Sequence, residues 1–226
     1  MNNTLKIGNW FAGAALVLLL SGCASVSVKQ GTTYAVPQMP QQIYVVGFDT
    51  AQGEWNVDRQ DTNLTDFQQN LQNMLATGTA TDITKKLIPA SVVPSAEGLP
   101  PQNAWVIRGE FVRVNQGSRA LRAAIGFGAG GTKLETIVHV YDLQNGYNGM
   151  PFMSFTTSGG SGAMPGAVAS AGPIGAAIKG VAGAAKGLTQ DTSRTGRMIT
   201  AQISEYMYKS GWITKDQYIA PKTIGN

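Results

Sequence analysis

Apolar residues recur along this chain with two different periods, and the switches between them mark its elements. "AWVIRGEFVRVN", 104 to 115, alternates, with Trp105, Ile107 and Phe111 on one side. "TKLETIVHVYDL", 132 to 143, does the same with Leu134, Val138 and Val140. Successive side chains of an extended segment point to opposite faces, so the alternation predicts two long neighbouring strands. "QNGYNG" then predicts a turn, and "PFMSFTTS" the third strand of a meander. Earlier, the β-branched and aromatic run "IYVVGFD", 43 to 49, predicts a buried strand.

Between these strands the period lengthens. Leu64, Phe67, Leu71, Met74 and Leu75 recur at three- and four-residue steps, which predicts an amphipathic helix. Asp61, Thr62 or Asn63 suits its N-cap, and Gly78 is a candidate point of interruption. "DITKKLI" continues or resumes the helix, and Pro89 ends it. Residues 94–103 carry three prolines and are expected as a loop. A second helix is expected from about Thr192 to Ser210, with Ile199, Ile203, Tyr206 and Met207 as its apolar stripe. Glu205 and Lys209 are spaced to pair one turn apart, and Gly211 suits the C-terminal cap. The order is strand, helix, a run of strands, helix. That is an α+β domain, a mainly antiparallel sheet with helices on one face, with mixed pairing expected around the first strand.

The N-terminus departs from both periods. "MNNTLKIGNWFAGAALVLLLSGC" has one charge, Lys6, then an apolar run from Trp10 to Leu20, then small residues. This is the layout of a secretory signal, residues 1–22, rather than of a spanning helix. Leu20-Ser21-Gly22-Cys23 resembles the lipobox of bacterial lipoproteins. The resemblance implies cleavage before Cys23, a diacylglycerol on its thiol and an acyl group on its amine. Ala24 and Ser25 follow, not Asp, which by enteric-type sorting rules implies the outer membrane. Cys23 is the single cysteine, so no intramolecular disulfide is available in the oxidising envelope. Residues 24–41 are polar with Pro37 and Pro40, so residues 23–41 are expected as a lipidated tether to a domain spanning 42–215, with a tail at 216–226.

The chain has 226 residues and a formal charge of +4, part of which is Lys6 in the signal. That is room for one domain with a proper core. The charge is too small to argue for nucleic acid. Its distribution is uneven, because bases concentrate between Phe111 and Ser204; such a face suits anionic headgroups or an acidic partner, and also simple solvation.

Two insertions interrupt the domain, at 117–131 and 158–187. The first, within "GSRALRAAIGFGAGGTKL", contains Gly126, Gly128 and Gly131 in the spacing G-x-G-x-x-G. A dinucleotide fingerprint needs those glycines to turn from a strand into a helix whose N-terminus faces the pyrophosphate. Here a strand follows, so the spacing is read as coincidental and no nucleotide or other cofactor is expected. "VRVNQGSRALRAAIGFGAGGTKLETIVHVYDLQNG", 112 to 146, resembles members of domain-of-unknown-function family 4410, found among bacterial lipoproteins. The resemblance extends loosely across the mature chain and brings the glycine-rich connection with Arg119 and Arg122, but no catalytic role. Leu121, Ala123, Ile125, Phe127 and Ala129 alternate like a strand on a surface or membrane, whereas Leu121, Ala124, Ile125 and Gly128 fit one helical face. The second insertion, "GGSGAMPGAVASAGPIGAAIKGVAGAAKG", places Ala176, Gly180 and Ala184 four apart, as a close helix contact needs. Pro165, Pro173, Lys179 and Lys186 leave no run of about 20 apolar residues to span a membrane. A glycine-alanine loop fits equally.

Chemistry-bearing residues are few. His139 is the single histidine, mid-strand, so a zinc site lacks partners and a serine–histidine pair would depend on it alone. Asp49, Glu110 and Asp142 are candidates to converge at strand ends, and also to pair with arginines such as Arg108. The sequence therefore leads to an outer-membrane-anchored periplasmic lipoprotein, a non-enzymatic binding or envelope-assembly module with an envelope protein partner or self-association. An alternative is a subunit of an oligomeric pore or secretion channel, prompted by an architectural resemblance to the lipoprotein that forms the curli secretion channel. An envelope hydrolase is the third reading. Candidate contacts to partner or membrane are Arg119, Arg122, Phe127, Lys179 and Lys186, with Cys23 as the lipid attachment site.

Overall fold

The computed structural model describes residues 25–58, 61–117, 131–160 and 186–223. Their elements are β1 (Ser25–Thr33), β2 (Gln42–Val46), β3 (Glu54–Asn56), α1 (Asp61–Lys86), β4 (Ala90–Val93), β5 (Ala104–Asn115), β6 (Lys133–Asp142), β7 (Met153–Gly160) and α2 (Lys186–Lys209). The strands form one seven-stranded sheet in the order β1-β7-β6-β5-β2-β4, with β3 also on β5. β5, β6 and β7 are the expected antiparallel meander, and β1 adds antiparallel to β7. β2 lies parallel to both β4 and β5, the mixed pairing expected around the first strand. Asp49 and then β3 continue along the same edge of β5, so residues 42–56 act as one interrupted strand.

Both helices cover one face, as the α+β reading expects. Beneath them lie Ile43, Val45, Trp105, Ile107, Phe111, Leu134, Val138, Val140 and Phe155, against Phe67, Leu71, Leu75 and Ile83 of α1 and Ile199, Ile203 and Met207 of α2. A β-bulge between Phe111 and Arg113 sends Val112 outward, so that Phe111 and Val114, three positions apart, both reach this core. Gly109 is fixed by close approach. A Cβ there would stand 2.3 Å from the Phe48 ring. On the other face a smaller cluster of Val46, Ala104, Val106, Tyr141 and Leu143 is closed by Leu99 and Tyr147 from two loops.

Two expectations need correction. Residues 25–33 are not tether: Val26 and Val28 are buried and the segment pairs with β7. With two apolar positions in "SVSVKQGTT", the strand is hidden by its polar outward residues. Gly78 does not interrupt α1, which runs unbroken from Asp61 to Lys86 with Gly78 and its neighbours Ala76 and Ala80 buried. A glycine costs a helix interior about 1 kcal/mol, which packing on this scale exceeds. Within the tail, residues 216–223 lie against the domain: the Val28 N–H donates to Lys222 O at 2.6 Å, and the Ile219 N–H to the Ser204 hydroxyl at 2.8 Å.

α2 begins at Lys186, before the expected Thr192, and ends as its sequence predicts. Gly211 has φ +74°, its N–H donates to Tyr208 O and that of Trp212 to Met207 O, the double bond of a glycine cap. Lys209 and Glu205 pair at 2.8 Å. No helix among the described residues is long and apolar enough to cross a membrane.

Candidate functional site: the open face of the sheet and its anchored end

Alternation places polar side chains opposite the helices, and the registers align them in rows. Arg108 of β5 stands beside His139 of β6, which stands beside Ser154 of β7. His139 Nδ1 lies 2.8 Å from the Ser154 hydroxyl oxygen. Burial of the ring holds the His139 pKa below its ordinary value; Arg108 acts in the same direction and Glu110 against both. The neutral form of the imidazole is thereby favoured. No carboxylate hydrogen bond to this ring occurs among the described residues.

Arg108 is clamped from two sides. Its Nη1 donates to Glu97 Oε1 at 2.7 Å and to the Tyr147 hydroxyl at 2.6 Å. Burial works to lower the guanidinium pKa, and Tyr147 and Glu97 outweigh it. The Ser95 hydroxyl, the Glu97 backbone N–H and Arg108 together hold the Glu97 carboxyl down to about 2. Burial, reinforced by Tyr147, pushes the Tyr141 phenol up to about 12. Further along the face Arg113 bridges Glu54 at 2.9 Å and Glu135 at 3.5 Å, while Lys133 holds Glu135 at 2.9 Å. Burial would raise the Glu135 pKa, and bonds from Lys133 and Ser158 turn it downward.

Of the acids proposed to converge, Asp49 and Glu110 are bridge partners, but Asp142 pairs with Trp105, five residues along β5 from Glu110. At about 3.4 Å per residue that is roughly 17 Å. No group of three or more His, Cys, Asp or Glu suited to a metal occurs among the described residues. Ser154 was invisible in the sequence because its place beside His139 depends on the β6–β7 register. Counting back from the "QNGYNG" turn was the available signal.

The registers also fix what meets at one end of the sheet. Asn115 pairs with Lys133, Leu134 with Gly159, and Gly160 with Ser25. Gly160, the root of one glycine-rich insertion, is thus paired with the first residue of β1, and Gly117 and Gly131, the roots of the other, lie at the same end of the sheet two to three strands across. The N-terminal part of α2, which receives the second insertion, is there too: fully buried Asp191 accepts from the Thr132 hydroxyl and from Arg194 Nη1 at 3.2 Å. Cys23, Arg119, Arg122, Phe127 and Lys179 lie outside the described residues; Lys186 opens α2, and its side chain lies outside them as well. Of the G-x-G-x-x-G glycines Gly131 is described, and it leads into strand β6, not into a helix.

The family model described as domain of unknown function (DUF4410) matches residues 43–177. The chain belongs to this family. No curated protein matches it in sequence. Among solved structures, the PelC dodecamer from Paraburkholderia phytofirmans is similar at 11% identity, covering 75% of this chain and 96% of that one, with a TM-score of 0.37. A putative neuraminyllactose-binding hemagglutinin homolog from Helicobacter pylori is similar at 10% identity over 78% of this chain and 95% of its own, with a TM-score of 0.40. Similarity at this level carries no function across.

Proposed function

We propose that this DUF4410 protein is an outer-membrane lipoprotein, acylated at Cys23, whose domain is a non-enzymatic binding or assembly module on the periplasmic side. The observation that supports this most is the place of β1. The sheet begins at Ser25, two residues beyond Cys23, so the lipid is joined to the domain by at most about 7 Å of chain rather than by a long tether. Two or more acyl chains make such anchoring stable. The polar rows of the open face offer directional groups at fixed spacings, which suits recognition of a partner.

Mass spectrometry of the membrane-extracted protein tests this. The N-terminal peptide should begin at Cys23 and carry acyl mass, the protein should fractionate with the outer membrane, and Cys23→Ser should accumulate as uncleaved precursor. A Cys23→Ser product that is correctly cut and soluble overturns the reading. A second reading, a channel subunit, draws on the common origin of the two glycine-rich connections. A large ring in detergent, in place of a small particle, would favour it.

A further inference from the structure

The open face differs from one side of the sheet to the other. One row across it runs from Asp49 to its bridge partner Glu110, then to Ile137, Thr156 and Lys29. Phe48 and Val28 are buried on the helix side, so their neighbours Asp49 and Lys29 stand on the open one. The row is acidic at one end and basic at the other. Among the described residues Glu110 and Lys29 have no ion pair and no side-chain hydrogen bond, whereas Arg108, Arg113 and Lys133 are each matched by an acid. Within one chain Glu110 and Lys29 lie three strand spacings apart, roughly 14 Å, too far to pair with each other. Side-chain size divides the same way. β5 and β6 present Arg108 and His139 in one row and Arg113 and Glu135 in another. In those rows β7 and β1 present Ser154 with Gly31 against it, and Ser158 with Ser27.

We propose that the open face is the interface with a second copy of this chain, the two sheets packed face to face about a two-fold axis that runs along the strands between β6 and β7. Such an axis exchanges the two sides of the face. Glu110 of each copy then meets Lys29 of the other, and the long side chains of β5 and β6 lie over the short ones of β7 and β1. An axis across the strands would set Glu110 against Glu110 and Lys29 against Lys29, which repel. Aligned sheets pack about 10 Å apart, a gap that interleaved long and short side chains fill. Four strands about 4.8 Å apart and some eight residues of about 3.4 Å make a patch of roughly 500 Å² per copy, so a pair buries about 1,000 Å², enough for a specific contact. The Arg108–Glu97 and Arg113–Glu54 pairs stay at its rim, because Glu97 and Glu54 lie outside these four strands. The same axis leaves both Ser25 ends on one side, so two anchors enter one leaflet. The inference rests on the reading of an anchored assembly module and names its partner.

The test is sedimentation of the full-length protein in detergent under reducing conditions, with acyl mass on Cys23 read first. Wild type should associate to a dimer as its concentration rises. Glu110→Lys and Lys29→Glu should each weaken self-association by about tenfold or more, because each sets like charges opposite one another. Mixed together, these two variants should form a heterodimer, since each supplies the charge the other lacks. Lys29→Glu and Glu110→Lys combined in one chain should dimerise again. Damage to the fold is not repaired by mixing, so this complementation separates an interface from a loss of structure. A monomer at every concentration overturns the proposal. So does a dimer or larger assembly indifferent to both single reversals, or a mixture that fails to associate. Absence of acyl mass on Cys23 is the failure of the anchored reading instead, and the charge-reversal series on that same protein still decides the interface.

Discussion

The two faces of the sheet are made by the same strands in strict alternation, yet they are held by different forces. Under the helices, Trp105 packs on Phe152, Tyr206 and Trp212 with ring centroids 4.8 to 6.0 Å apart, and Phe111 touches Phe48 and Trp55. Opposite them, Arg108, His139, Ser154, Arg113 and Glu135 meet through hydrogen bonds and ion pairs at the edge of water. Buried apolar area stabilises at roughly 25 cal/mol per Å² whatever its orientation. Exposed ion pairs contribute little, because water competes for both partners. The helix-covered face therefore carries most of the stability, and the open face adds only its smaller apolar cluster around Val106 and Leu143.

The strongest way to break this comparison is Trp105→Ala. Trp105 is 1% exposed and joins β5 to both α2 and the C-terminal segment through Trp212. Truncation removes transfer energy and leaves a cavity, so a loss of about 3–5 kcal/mol is expected by urea denaturation. A loss below about 1 kcal/mol would show that this aromatic group is not the core it is taken for.

On the open face the expected effect is far smaller. Glu97→Gln removes a carboxylate held at about 2 by Ser95, by its own backbone N–H and by Arg108, but in a fully exposed position. The thermal midpoint should stay within about 2 °C of wild type, and less at high salt. A drop as large as that of Trp105→Ala would mean that the Arg108 clamp supports the fold.

How much of this contrast the sequence displayed depended on strand length and on how many apolar residues alternate. β5, β6 and β7 were legible because Trp105, Ile107, Leu134, Val138, Val140 and Phe155 all fall on one parity of their strands. α2 was legible through Ile199, Ile203, Tyr206 and the Gly211 cap. β1 offered Val26 and Val28 alone, while β3 and β4, three and four residues long, are too short to show a period. The candidate site was less visible than the fold. His139 could be placed mid-strand, but its partner Ser154, fifteen residues away, follows from a register that the hairpin turn fixes. The gathering of both glycine-rich roots at the end of the sheet that holds Ser25 is likewise a product of pairing, β1 on β7 and β6 between β7 and β5, and leaves no local mark in the sequence.

The finest discrimination between the faces comes from pH, because His139 is the single histidine and sits on the open face. Its folded pKa lies below the ordinary 6.5, lowered first by burial and then by Arg108, with Glu110 opposing. Between the folded and unfolded values the unfolded chain binds more protons, so stability rises with pH in that window. The contribution is complete above about 6.5, declines as pH falls toward the folded value, and is constant again below it. Wild type should therefore lose more stability than His139→Gln between pH 7 and pH 5, while the two differ little in slope above pH 7. An NMR titration of the one histidine resonance gives the direct check: a midpoint below 6.5 is expected. A midpoint at or above 6.5 would show that Glu110 outweighs burial and Arg108, and that this face is better hydrated and more acidic in effect than its contacts imply.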